Sequence, residues 1–116
     1  MQRIYKIPKF NKINNGELGV LEKTIPFKIK RIFFLKKFKR RGDHVNLKTS
    51  MLVFCIQGKI KITILNKLKK KKNYILNNPY KAILINPGEW REILCLKKNS
   101  ILISICSTHY NKKEYA

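Results

Sequence analysis

The sequence lacks a long hydrophobic run, and no stretch approaches the ~20 apolar residues that a membrane-spanning helix needs. It also lacks an N-terminal apolar segment of the signal-peptide type. Cysteines are few, and Cys55, Cys95 and Cys106 each stand alone in an apolar run, with no Cys-x-x-Cys pair. That pattern is typical of buried, reduced thiols. We therefore expect no membrane partner and a cytoplasmic location.

Acidic residues are also scarce, since six Asp and Glu stand against 27 Lys and Arg and give a net charge of +21. Such a charge is typical of proteins that bind nucleic acid or membranes. Only five of the 27 cations are Arg, however, and bidentate recognition of bases and phosphates favours Arg over Lys. Lys, Ile and Asn fill 50 of the 116 positions, as expected for a genome rich in A and T. The charge is therefore expected to attract an anionic small molecule rather than nucleic acid.

Helical periodicity is missing from nearly the whole chain, and short apolar runs alternate instead with turn signals. From Ile60 to Ile64 every second residue is isoleucine, which is the pattern of a half-buried strand. The Asn14-Asn15-Gly16 turn signal separates an edge strand within Met1–Phe10 from a strand that begins at Leu18, and so predicts a leading N-terminal hairpin. A chain of 116 residues has room for one core. We expect residues 1–116 to form a single antiparallel all-β domain, a sandwich or barrel.

A polar stretch that begins at Arg40 turns apolar after Thr49 and ends at Gly58. It resembles the first motif of the cupin β-barrels, in which His-x-His is followed by Glu and then by Gly. The two His positions fall on His44 and Asn46, and the Glu position falls on Met51. The resemblance implies a cupin-type, jelly-roll antiparallel β-barrel.

The second cupin motif, Pro-x-Gly-x-x-His, is similar to residues 86–91, and its metal-binding His falls on Arg91. Only His44 therefore remains of four expected metal ligands. Zinc and iron sites need three or four imidazole, thiolate or carboxylate donors. We expect a cupin that holds no metal and uses no cofactor.

Longer blocks carry a closer resemblance, to the nucleotide-sugar 3,4-ketoisomerases, and they occur in that family's order. The blocks are Ile25–Phe34, Arg41–His44, Leu76–Tyr80, Pro87–Glu92 and Ser107–Tyr115. The family converts dTDP-4-keto-6-deoxyglucose to its 3-keto isomer during synthesis of the deoxy and amino sugars of bacterial surface glycans. The resemblance implies the same isomerisation through an enediol, a nucleotide-sugar substrate, and a homodimer in which the leading strands are exchanged.

The family's Arg-Gly-x-His-Ala-His string falls on Arg41–Asn46. The resemblance implies that His44 is the general base or proton shuttle, because a neutral imidazole near pH 7 suits that task. It also implies that Arg41 donates hydrogen bonds to the pyrophosphate or to the sugar oxyanion. The alternative for His44 is a purely structural role in a polar loop.

Four further residues are candidates for substrate binding: Arg31, Asn46, Trp90 and Arg91. Arg91 is either a surface residue or a fixed cation that replaces the charge of the metal. Trp90 is either a core or rim aromatic or a platform for a sugar or base. Arg31 alternates with apolar neighbours on its strand and faces the side opposite to Ile32, so it either lines the cavity or points away from it.

Two positions depart from the family pattern. Asn46 replaces the second His and cannot carry a proton at neutral pH, and Phe33-Phe34 stands where the family tends to have Tyr. If both lost groups were catalytic, each would cost about 100- to 10,000-fold in rate. A degenerate cupin that binds a nucleotide sugar without turnover is therefore one alternative, and a basic β-barrel that binds nucleic acid is another.

Overall fold

The computed structural model describes residues 2–11 and 16–114, and these contain eleven strands and one short 3₁₀-helix. The strands are β1 (Ile4–Lys6), β2 (Lys9–Asn11), β3 (Glu17–Gly19), β4 (Arg31–Lys36), β5 (Arg40–Val45), β6 (Met51–Gln57), β7 (Ile60–Leu65), β8 (Lys71–Leu76), β9 (Lys81–Ile85), β10 (Trp90–Cys95) and β11 (Ile101–Cys106). The 3₁₀-helix is Lys112–Glu114. No helix in residues 2–11 and 16–114 is long and apolar enough to cross a membrane.

Two antiparallel sheets form the body of the fold. The first has five strands in the order β1-β9-β6-β11-β4, and the second has four in the order β5-β10-β7-β8. The predicted all-β, cupin-type antiparallel fold is confirmed. The predicted leading hairpin is also present, since β2 pairs with β3 and Phe10 lies opposite Leu18. Asn14 and Asn15 of its predicted turn lie outside the described residues.

The main core lies between the two sheets and is built by every second residue of the facing strands. We call the sheet faces that meet there the inner faces. The buried members of this core are Met51, Val53, Cys55, Ile60, Ile62, Ile64, Leu76, Ile83, Ile85, Ile93, Leu102 and Cys106. Because strand side chains alternate between faces, the intervening residues point to the outer faces.

A second core covers part of the outer face of the five-stranded sheet. Leu52, Leu84 and Ile105 point outward there and are covered by Tyr5 and Ile7 of the N-terminal segment. β6 and β9 are therefore buried on both faces. That explains their continuous apolar sequence, which contrasts with the alternation of β7.

Among the described residues, none covers the part of this outer face nearest to β4. Phe34 and Phe54 both lie opposite Ile103, in one row across β4, β11 and β6. Phe34 is 62% exposed and Ile32 is 61% exposed, and Ile56 at the end of β6 is 47% exposed. The chain thus presents an apolar surface along β4, which we call the β4 face.

A bidentate ion pair ties the N-terminus to the turn before β10. Arg3 Nη1 lies 2.5 Å from Glu89 Oε1, and Arg3 Nη2 lies 2.7 Å from Glu89 Oε2. Arg3 also donates to the carbonyl of Leu84 at 2.7 Å. Burial alone raises the pKa of Glu89, but the hydrogen bonds from Arg3 and from the Asn86 amide outweigh it and leave the pKa below its usual value. The carboxylate is therefore charged and fully engaged at neutral pH.

The turn between β6 and β7 requires glycine at position 58 for two reasons. Its φ of +91° lies in the left-handed region, and a Cβ atom there would stand 2.7 Å from Ser100 Cα. Ser100 has little freedom to move away, because its hydroxyl accepts from Lys59 N at 3.0 Å and donates to the Lys97 carbonyl at 2.5 Å.

We predict that Gly58→Ala lowers the free energy of unfolding by about 2 to 5 kcal/mol, since left-handed strain and overpacking add. Gly16→Ala is the matched control, because Gly16 has a φ of +77° and, apart from its chain neighbours, no atom of residues 2–11 and 16–114 lies within 4 Å of the added methyl group. It is expected to cost about 1 kcal/mol, from strain alone. Urea unfolding at one protein concentration measures both, and equal losses would contradict the close contact with Ser100.

Candidate active site

A β-bulge in β5 shapes the candidate site. His44 lies opposite Arg91 of β10, but the next residue, Glu92, lies opposite Gly42, so that Asp43 is an extra residue in the ladder. Gly42 and Asp43 both have positive φ angles, +92° and +57°. These are the backbone angles of a bulge, and glycine at its first residue adopts a positive φ with little strain.

The bulge decides which side chains share the inner face. Arg41 and His44 are three residues apart, and in a regular strand they would point to opposite faces. With one extra residue between them, Arg41 lies opposite Ile93 and His44 lies opposite Arg91. Ile93 belongs to the main core, and Arg91 is two residues before it on the same face. The bulge therefore turns Arg41 and His44 to the inner side together.

Arg91 places a positive charge inside the fold. It is only 4% exposed, and it lies between His44 on β5 and Ile64 on β7 in the sheet. Its Nη1 atom is 3.5 Å from the carbonyl oxygen of His44. A buried guanidinium cannot lose its proton, so this charge is fixed at all relevant pH values.

His44 is held in one tautomer. Its Nδ1 atom lies 2.6 Å from the carbonyl oxygen of Gly42, and a carbonyl can only accept, so Nδ1 carries the proton. Burial first, and then the positive charge of Arg91, lower the pKa of His44 below 6.5, while the Gly42 carbonyl and Asp43 offset part of that effect. At neutral pH the ring is therefore uncharged, and Nε2 has the lone pair of a base.

Asn46 follows on the inner side, two residues after His44. The residue is 3% exposed, and its carbonyl accepts from Gly88 N at 2.8 Å. Its amide oxygen and nitrogen are buried and have no hydrogen-bond partner among residues 2–11 and 16–114. A buried amide without hydrogen-bond partners costs about 1 to 3 kcal/mol of stability, so this group is suited to bind polar atoms of a ligand.

The opposite sheet contributes Arg31 and Phe33 of β4. Phe33 packs against the main core, and Arg31, two residues earlier, shares its face. The Arg31 guanidinium lies 5.8 Å from the ring centroids of both Phe33 and Tyr110. Phe34 points to the outer face, so of the two positions where the family tends to have Tyr, only Phe33 is on the inner face.

Trp90 is not brought together with the other candidates. It lies opposite Val45 and next to Arg91, so it points to the outer face of the four-stranded sheet. Its predicted contact with substrate stays a prediction. The structure thus gathers Arg41, His44, Asn46 and Arg91 on one face, places Arg31 on the inner face of the other sheet, and leaves Trp90 apart.

No three His, Cys, Asp or Glu side chains in the described part of the chain lie close enough together to hold a metal ion. The cupin frame positions instead carry a neutral base, an amide and a buried cation. This set can remove a proton from carbon and stabilise negative charge on oxygen. Glu114 also lies near this set and binds the backbone just after Asn46, although no local pattern in the sequence marks it as a site residue.

Comparison with known proteins identifies the family of the chain. The family model described as "FdtA: WxcM-like, C-terminal" matches residues 1–116. The TDP-4-oxo-6-deoxy-α-D-glucose 3,4-oxoisomerase of Aneurinibacillus thermoaerophilus is 26% identical over 117 residues, which cover 95% of this chain and 84% of the relative.

Solved structures of similar proteins extend the likeness to the fold. A TDP-fucose 3,4-ketoisomerase from Campylobacter jejuni is 35% identical, with a TM-score of 0.87 over 97% of this chain and 86% of its own. Another similar structure is a variant of the 3,4-ketoisomerase QdtA from Thermoanaerobacterium thermosaccharolyticum in complex with TDP-4-keto-6-deoxyglucose. It is 26% identical, with a TM-score of 0.90, and the match covers 97% of this chain and 84% of that protein.

We predict that the His44 ring titrates with a midpoint below 6.5, as followed by NMR of its Cε1 proton, with His109→Gln used to assign the signal. Arg91→Gln removes the neighbouring positive charge and is expected to raise this midpoint. Lys61→Gln is the control, because Lys61 lies opposite Leu94 on the outer face of β7 and is not among the charges that act on His44, so the midpoint should stay unchanged. A midpoint at or above 6.5, or one that does not respond to Arg91→Gln, would contradict the proposed electrostatics.

Proposed function

The chain belongs to the FdtA, WxcM-like C-terminal family, and on that premise we propose that it is a nucleotide-sugar 3,4-ketoisomerase. Its substrate is a TDP-4-keto-6-deoxyhexose, and its product is the 3-keto isomer used to build deoxy and amino sugars for surface glycans. The observation that carries the proposal is the placement of the His44 ring, with Nδ1 2.6 Å from the Gly42 carbonyl oxygen, opposite the buried cation of Arg91.

The reaction starts with removal of the proton on C3 of the sugar. His44 Nε2 takes this proton, the electron pair of the C3–H bond forms a double bond between C3 and C4, and the carbonyl electrons move to the oxygen on C4. The product of this step is an enediolate. Because Nδ1 keeps its proton and donates it to the Gly42 carbonyl, the ring lone pair is on Nε2, and this atom acts as the base.

The second half of the reaction reverses the first at the neighbouring carbon. The hydroxyl proton moves from the oxygen on C3 to the oxygen on C4, a carbonyl forms at C3, and C4 receives a proton. C3 is oxidised and C4 is reduced by the same electron pair, so no external oxidant or reductant is required. The chain needs to supply only a base, a proton and stabilisation of the enediolate.

Positive charge on the inner side supports the enediolate and the diphosphate. Arg91 is buried next to the base, and its charge acts strongly because little water screens it. Arg41 lies at the exposed edge strand on the same face, a suitable place for a donor to the pyrophosphate. The overall charge of +21 increases the rate at which an anionic nucleotide sugar reaches the site.

We further propose that the protein is a homodimer and that the β4 face forms part of the interface. Phe34 and Ile32 are more than half exposed, and a cavity of about 430 Å³ on the same side of the sheet is lined by Ile7, Leu21, Phe54 and Ile56 among others. Contiguous exposed apolar surface of this kind marks association sites. In this structure β1 pairs with β9 of the same chain. With strand exchange, β1 would pair with β9 of the other subunit.

Two expectations from the sequence remain part of the proposal. The three free cysteines suit the reducing cytoplasm, where activated sugars would be modified. A single domain is supported by the one family model that spans residues 1–116.

We predict that the protein converts TDP-4-keto-6-deoxyglucose to a 3-keto product, which can be trapped with a 3-aminotransferase. His44→Asn keeps a similar shape but cannot accept the C3 proton, so kcat should fall about 100- to 10,000-fold. The affinity for TDP should remain within a few-fold of the wild-type value. His109→Asn is the control, because His109 is exposed and outside the site. Binding of the keto sugar nucleotide by wild type without turnover would contradict the proposed activity.

For the interface, we predict that Phe34→Lys converts the dimer to a monomer in light scattering after gel filtration, because it buries a charge in an apolar contact. Leu68→Lys adds the same charge at a position that is 78% exposed in the connection between β7 and β8, and it should leave the dimer intact. A wild-type monomer at micromolar concentration, or a Phe34→Lys dimer, would overturn the proposed interface.

A further inference from the structure

One residue of the C-terminal turn holds the three residues that follow Asn46. The main-chain oxygen of Glu114 accepts from Leu47 N at 3.1 Å, and its side-chain Oε2 accepts from Lys48 N at 2.9 Å. The hydroxyl of Thr49 donates to the same Oε2 atom. Glu114 is only 6% exposed, so these bonds are shielded from water.

The turn that carries Glu114 is itself fixed. Asn111 accepts from Lys113 N with its side-chain oxygen at 3.0 Å and from Glu114 N with its main-chain oxygen at 3.1 Å, as an N-terminal cap does. The Thr49 and Thr108 hydroxyl oxygens are 2.6 Å apart. Because Thr49 gives its proton to Glu114, Thr108 donates to Thr49. The turn and the segment after β5 therefore form one hydrogen-bonded unit.

Asn46 stands at the start of that segment, and its amide has no bond within the described chain that would orient it. Its position depends on the backbone, which is held on one side by the 2.8 Å bond from Gly88 N and on the other by Glu114. If the segment relaxed, the amide would be free to turn away from the inner face. A group that must meet a ligand is usually held by such supporting bonds.

We infer that Glu114 is a positioning residue for substrate: it holds the Asn46 amide toward the interior, where that amide hydrogen-bonds the keto sugar. This inference rests on the proposed function, because it takes a nucleotide sugar as the ligand. Glu114 acts by accepting hydrogen bonds and does not need its charge. A glutamine at this position can present one oxygen to both Lys48 N and the Thr49 hydroxyl, whereas an alanine can accept neither.

The test compares the affinity for TDP-4-keto-6-deoxyglucose with that for TDP, by calorimetry in the His44→Asn background so that the ligand is not converted. Glu114→Ala should weaken binding of the keto sugar nucleotide about tenfold, as expected for one lost hydrogen bond, and change TDP binding by less than about twofold. Glu114→Gln should restore most of the affinity. Lys113→Ala, an exposed neighbour, should have no effect.

A double-mutant cycle tests whether Glu114 acts through Asn46. Asn46→Ala should weaken keto-sugar binding as much as Glu114→Ala does, and the double variant should be no weaker than Asn46→Ala alone. If Glu114→Ala fails to fold, Thr49→Val removes one of the donors and should give a smaller loss, again confined to the keto sugar nucleotide.

Three results would overturn the inference: equal losses for both ligands, no loss for either, or additive losses in the double variant. Turnover by wild type is measured separately. An absence of turnover would contradict the proposed isomerase activity, while the binding cycle would still decide the role of Glu114.

Discussion

The extra residue in β5 is the constraint on which the candidate site depends. Without the bulge at Gly42–Asp43, Arg41 and His44 would point to opposite faces of the sheet, and the chain would offer either the base or the guanidinium to the interior. The same bulge brings the Gly42 carbonyl to 2.6 Å from His44 Nδ1 and so selects the tautomer. One local feature of the backbone thus sets the position of the base and the atom that carries its proton.

The interior keeps the frame of a cupin metal site and fills it with different chemistry. The positions that carry metal ligands in the cupin pattern hold His44, Asn46, Met51 and Arg91, and Met51 belongs to the main core. A guanidinium supplies there a positive charge that does not depend on a bound ion. Burial and, after it, that charge lower the pKa of the neighbouring imidazole, so the ring is an uncharged base at neutral pH. In the proposed mechanism the same charge would also stabilise the enediolate.

The fold could be predicted from the sequence, and so could the sheet face that some residues occupy. Both follow from the alternation of side chains along a strand, which is a local property. The isoleucines of Ile60–Ile64 predict their own burial, and the motif frame predicts the cupin topology. The bulge at Gly42–Asp43 was not predictable, since it exists only in the pairing of β5 with β10. Trp90 was grouped with Arg91 by motif, although adjacent strand residues point to opposite faces. Glu114 was missed because its partners lie more than 60 residues away in the chain.

His44 is proposed to remove the proton on C3 with its neutral ring, and a crystal structure with bound TDP-4-keto-6-deoxyglucose would show whether the ring is placed for that role. We expect His44 Nε2 about 3 to 3.5 Å from C3, with Nδ1 still bonded to the Gly42 carbonyl and with Arg91 on the side of the sugar oxygens. An imidazole turned away from the sugar, or a sugar whose C3 lies nearer to another base, would contradict it.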